Sequence, residues 1–123
     1  MIRLLIIAIV TSTLFGCAVR PPMYSWGEYE SSLYASYKDP SKVEALQVTL
    51  ESQIAESERL KQKVPPGMYA ELGTLYLQSG KTDTAIAYYS KERNAWPESR
   101  GMMDALIKSL ELRKNPPAEQ AAK

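Results

Sequence analysis

Between Pro66 and Ser99 apolar side chains recur at intervals of three and four positions. Tyr69, Leu72, Leu75 and Tyr76 fall on one face of a helix. Ser79-Gly80 ends that helix, because glycine accepts the left-handed backbone that follows a helix terminus. Thr82 or Asp83 then offers an oxygen to the first free N–H groups of a second helix. The second helix turns Ala85, Ile86 and Tyr89 inward and stops at Pro97. Gly73 and Ala85 are small where two facing backbones would come closest. The pattern predicts a tight antiparallel hairpin.

The flanking pattern is also helical. From Gly27 to Lys38, either Tyr29, Leu33 and Tyr37 or Glu30, Leu33, Tyr34 and Tyr37 share a face. These residues belong to an aromatic cluster with Tyr24 and Trp26, read as core with Trp26 the first exception; the alternative is a binding surface or a membrane-interface contact. Asp39-Pro40 restarts the helix, with Asp39 as N-cap and Pro40 at the first helical position. Val43, Leu46, Leu50 and Ile54 make the next stripe, with Leu60 further on, in a long helix expected to end before Pro65-Pro66. After Pro97, Met103, Leu106, Ile107 and Leu110 mark a closing helix from Glu98 to Leu112. The predicted fold class is all-α: five helices over residues 24–114, followed by a disordered tail at 115–123.

The first residues follow a different pattern. Arg3 provides a short positive end, and Leu4 to Phe15 is apolar except for Thr11, Ser12 and Thr13. This run is short for a transmembrane helix and suits the core of a signal peptide, assigned to residues 1–16. Leu14-Phe15-Gly16-Cys17 ends it, and Cys17 is the single cysteine of the chain. Residues 17–23 form a short tether. Its six residues from Ala18 to Met23 reach at most about 20 Å, and Pro21-Pro22 stiffens them.

Composition narrows the chemistry. The 123 residues carry 15 Lys and Arg against 14 Asp and Glu, with no His. That length supports one domain. Balanced charge with no basic cluster predicts no nucleic-acid partner. Without histidine the common catalytic triads and most zinc sites cannot be assembled. Glu28 with Glu30, and Glu56 with Glu58, are two apart and do not share a helix face. No glycine-rich phosphate loop is present. The sequence therefore predicts no enzyme, no metal site and no cofactor.

Two motifs resemble known families. The hairpin resembles the tetratricopeptide repeat, a helix–turn–helix unit of about 34 residues. Tyr69 stands where that repeat prefers Trp, while Leu72, Gly73, Tyr76, Ala85 and Pro97 fall on its preferred positions. Tyr89 supplies the aromatic of the second helix, and Glu92 stands where the repeat has a small residue. Leu33-Tyr34-Ala35-Ser36-Tyr37 echoes Leu72-Gly73-Thr74-Leu75-Tyr76, giving one good repeat and one degenerate repeat. The closing helix returns at an offset of about 34 and would cap the stack. Leu14-Phe15-Gly16-Cys17 resembles the bacterial lipobox, with Phe15 bulkier than the usual small residue. That resemblance implies lipidation of Cys17, and Ala18 after it implies the outer membrane of the cell envelope.

Residues 24–110 as a whole resemble an uncharacterised family of small bacterial lipoproteins with a tetratricopeptide-repeat-like body. Trp26-Gly27, Leu33-Tyr34 and Pro65-Pro66-Gly67 carry that likeness. Members are often encoded beside a lipoprotein resembling the curli secretion channel, which implies envelope partners but no reaction. The expected role is a membrane-anchored protein-binding module at the periplasmic face of the outer membrane, accessory to an envelope assembly. Its partner would be another envelope protein or lipoprotein. The alternative is a structural lipoprotein that self-associates. By the frame of the repeat, a partner groove would include Ala70, Glu71, Thr74, Leu77 and Gln78. Ser31, Ala35 and Lys38 would flank it on one side, Asp104 and Lys108 on the other. Trp26 marks an alternative partner patch.

Overall fold

The computed structural model describes residues 23–115. The predicted signal peptide, Cys17 and all but the first residue of the predicted tail lie outside that range. Five helices follow in order: α1 (Tyr29–Lys38), α2 (Val43–Arg59), α3 (Met68–Gln78), α4 (Thr82–Ala95) and α5 (Arg100–Lys114). Single 3-10 turns, Pro40–Lys42 and Pro97–Ser99, precede α2 and α5. No strand occurs among the described residues, and each helix packs on the next in the chain.

Two apolar clusters share α3. The first joins Leu46, Leu50 and Ile54 of α2 to Val64, Met68, Tyr69, Leu72 and Leu75, with Trp26, Tyr29 and Leu33 laid against it. The second joins Ala85 and Tyr89 of α4 to Met103, Ile107 and Leu110 of α5, with Ala70, Leu77, Ile86 and Leu106 beside it. Complete burial of one leucine contributes about 1.5–3 kcal/mol, and Leu50 and Leu72 are both completely buried. The predicted stripes on α2, α3, α4 and α5 are therefore the faces that fill the interior.

The α3–α4 hairpin closes as its small residues require. A Cβ placed on Gly73 would lie 2.9 Å from Tyr89 Cε1 and 3.2 Å from the Ala85 carbonyl oxygen. Gly80, at φ 78, ends α3. Its N–H donates to the Leu77 carbonyl at 3.0 Å, and that of Lys81 donates to Tyr76 at 2.9 Å. Both bonds satisfy carbonyls that a helix end leaves open.

Several boundaries differ from expectation. α2 stops at Arg59, one residue before Leu60, which is 46 % exposed instead of continuing the stripe. The cause is a second left-handed helix end, at Lys61 (φ 55). There Lys61 N–H donates to Glu58 and Gln62 N–H to Ser57, at 3.1 and 2.9 Å. At the start of α4 neither Thr82 nor Asp83 caps with its side chain; both lie inside the first turn, and Lys81 is the N-cap. Asp83 instead pairs with Lys114 of α5. Asp39 does cap, accepting from the Ser41 N–H at 3.0 Å and its hydroxyl at 2.7 Å. These two bonds, the hydroxyl's first, hold the Asp39 carboxyl below its ordinary pKa.

The aromatic cluster divides. Trp26 is half-buried and stacks on Tyr29 with ring centroids 5.8 Å apart, so it belongs to the first core after all. Tyr34 and Tyr37, expected in the core, are instead 62 % and 81 % exposed. α1 packs mainly on α2 and the turn before it, and a single main neighbour leaves much of a helix uncovered.

Candidate partner-binding surface

The residues assigned by repeat frame lie in several surroundings. Ala70 and Leu77 are half-buried against the second core. The Thr74 hydroxyl lies 3.1 Å from that of Tyr89 and donates to the Ala70 carbonyl at 3.0 Å. Glu71 is half-buried between these turns. Gln78 is exposed and lines a cleft between α2 and α3 with Val43, Glu44, Gln47, Leu75, Ser79 and Lys81. Lys108 lines a separate cleft between α4 and α5, with Asp83, Ile86, Glu111 and Leu112. Asp104 pairs with Arg93 at 3.0 Å. Ser31 is exposed, its hydroxyl donating to the Glu28 carbonyl, and Ala35 is half-buried. Ala70 and Leu77 of α3 are thus partly covered by the second core.

α1 presents a different surface. None of its ten side chains is fully buried. Tyr34 and Tyr37 sit three apart and therefore share a face. The Lys38 ammonium lies 4.6 Å from the Tyr34 ring centroid, close enough for a cation–π contact. Serine hydroxyls hold the helix from within: Ser36 donates to the Leu33 carbonyl at 2.8 Å, and Ser32 lies 3.1 Å from Thr49 of α2. Sequence periodicity left core and binding surface open for these tyrosines, because tyrosines at helical spacing read the same whether they face a core or a partner. What decides between them is the place of α1 at the end of the row of helices, with α2 as its main neighbour.

Polar ties anchor the remaining helices. Glu51 accepts from Tyr76 at 2.7 Å, and Glu58 accepts from Tyr69 at 2.9 Å and Lys91 at 3.0 Å. The Tyr76 hydroxyl, with help from Gln47, lowers the pKa of Glu51; Lys91 and then Tyr69 lower that of Glu58. Conversely, the bond to Glu51 pushes Tyr76 up to about 12, and burial followed by the bond to Glu58 raises Tyr69. These carboxylates are engaged between helices. Among the described residues no group of three His, Cys, Asp or Glu is placed to hold a metal ion, and no helix is long and apolar enough to cross a membrane.

Comparison with known families matches residues 23–106, more than half of the chain, to the family described as Domain of unknown function (DUF4810). No curated protein and no solved structure matches the chain significantly.

Proposed function

The chain belongs to the DUF4810 family, and we propose from its own residues that it is a lipid-anchored, protein-binding module of the cell envelope. In this reading Cys17 carries the lipid and the outer membrane's periplasmic face is the site of action. The tetratricopeptide-like hairpin is the scaffold, and another envelope protein or lipoprotein is the partner. The close approach of Gly73 to Tyr89 and Ala85 supports the repeat-like reading of α3 and α4. The observation that carries the binding role is the outer face of α1, where Tyr34 and Tyr37 stand exposed beside Lys38. Exposed tyrosines are rigid and amphipathic, and protein interfaces concentrate them.

The test uses the acylated full chain as bait in cross-linked envelopes. A Tyr34→Ala/Tyr37→Ala variant should melt within about 4 °C of wild type, since neither ring is in the interior, yet lose its captured protein. An unchanged set of captured proteins overturns the α1 assignment. If light scattering of the purified protein shows mass rising with concentration, and the double variant abolishes the rise, α1 binds a second copy instead. Metabolic labelling with a fatty acid checks the anchor: wild type takes the label and Cys17→Ser does not. Equal labelling removes the anchor from the reading.

A further inference from the structure

We propose that the end of the helical body from which the N-terminal tether leaves is a phospholipid-docking face, so that the molecule stands on the membrane with its α2–α3 and α4–α5 connections against the headgroups. The proposal rests on the lipid-anchor reading of Cys17 and adds an orientation and a contact surface to it.

Three segments meet at this end, with Trp96 at their centre. The Tyr24 ring meets Trp96 edge-on at 5.7 Å, and Lys63 Nζ lies 3.5 Å over the indole. The first described residues, the α2–α3 connection and the α4–α5 connection are thereby tied together. Around them stand exposed apolar side chains: Met23 (84 %), Leu60 (46 %) and Met102 (68 %). Lys61, Lys63 and Arg100 are exposed among them, against Glu28 and Glu98. The indole Nε1 of Trp96 is buried without an acceptor. Apolar side chains beside aromatic rings and lysines are the composition of a membrane-interface belt, where the apolar part enters the acyl boundary and the cations meet phosphate.

Charge alone does not select this face, because Lys38, Lys42, Lys81 and Lys114 lie toward the other end of the helices. The tether does. From Cys17 to Met23 the chain spans at most about 20 Å. α2, at 17 residues, is about 25 Å long. An inverted molecule would lift Met23 beyond the reach of its anchor. The occupant within reach is the bilayer that holds the acyl chains.

The experiment places a nitroxide at single positions of the acylated full chain in vesicles of phosphatidylethanolamine and phosphatidylglycerol. Cys17 is the only native cysteine and, once acylated, does not take the label. Leu60→Cys and Met102→Cys probe the proposed face; Tyr37→Cys and Leu112→Cys probe surfaces away from it. All four side chains are exposed, and thermal melts verify folding. The labels at 60 and 102 should collide with oxygen several-fold more than with a water-soluble nickel chelate, and those at 37 and 112 the reverse. Labels at 60 and 102 as open to nickel as that at 112 overturn the proposal. Protection at 60 and 102 in native envelopes but not in vesicles overturns it too, and assigns the face to a protein. Mass spectrometry of the same sample separates the two readings. An acylated chain with water-exposed labels removes only the docking face; a chain without acyl groups removes the anchor and the face together.

Discussion

A carboxyl group with no solvent exposure is held by what it can accept. Glu92 is such a group, and its Oε1 accepts from the Gly67 N–H at 2.8 Å and from the Ser99 hydroxyl at 3.2 Å. Gly67 precedes α3 and Ser99 precedes α5, so one side chain of α4 binds the starts of both neighbours. Glu92→Ala strands the Gly67 donor and leaves a void, and is expected to cost about 2–4 kcal/mol. Glu92→Gln retains an acceptor at Oε1 and should cost less than half as much; urea unfolding of both variants measures the difference. Equal losses would mean that volume, not the hydrogen bonds, holds the junction. Gly73 makes a contrasting case, since the atoms that an added Cβ meets belong to a buried tyrosine ring. Gly73→Leu should lower stability by about 1–3 kcal/mol through overpacking, visible as an earlier melt. Gly73→Ala combines a smaller clash with a helix-propensity gain of about 1 kcal/mol. A Gly73→Leu melt at or above that of wild type would place the helix contact elsewhere.

At the scale of elements, α2 and α3 end with the same pair of hydrogen bonds around a left-handed residue, Lys61 in one and Gly80 in the other. Only the second was legible. Glycine announces the left-handed region, whereas Lys61 carries no local signal, and its position is set by the tertiary course of the connection. This is why the stripe reads as reaching Leu60, one residue past the observed end of α2. A non-glycine residue there is strained by about 1–2 kcal/mol, offset in glycine by its greater unfolded-state entropy. Lys61→Gly should therefore raise stability by up to about 1 kcal/mol; a lower melting temperature would contradict the strain. The apolar stripes of α2, α3 and α4 were legible because two neighbours cover each helix, and that of α5 because its apolar residues keep to the one face laid on the second core. α1 has one main neighbour, so Tyr34 and Tyr37 stay exposed. The groove positions rest on repeat frame, which says nothing of burial: Ala70 and Leu77 lie half-buried beside the second core. α1, which has no fully buried side chain, should also show the fastest amide exchange of the five helices.

Across the whole molecule, the polar ties between helices set its response to pH. Glu51 of α2 holds Tyr76 of α3, and Glu58 of α2 holds Tyr69 of α3 and Lys91 of α4. Both carboxyl pKa values are lowered by these bonds. A carboxylate with a folded pKa below its unfolded value of about 4.3 stabilises fully above that pH, and the contribution is lost as pH falls through the folded value. The tyrosines behave oppositely. With Tyr69 raised and Tyr76 raised to about 12, their contribution is complete below the ordinary value of about 10 and disappears as pH rises through the folded one. The chain has no histidine to titrate between these limits. Urea midpoints should accordingly be level from about pH 5.5 to about pH 9, then fall on the acid side of about pH 4 and the alkaline side of about pH 10. Tyr76→Phe removes the donor to Glu51 and the ionisable hydroxyl together, so it should lower the plateau while making both limbs shallower. Glu58→Gln should make the acid limb shallower as well. A midpoint that drops between about pH 6 and pH 8, or limbs left unchanged by both variants, would show that these interhelical bonds do not govern the pH response.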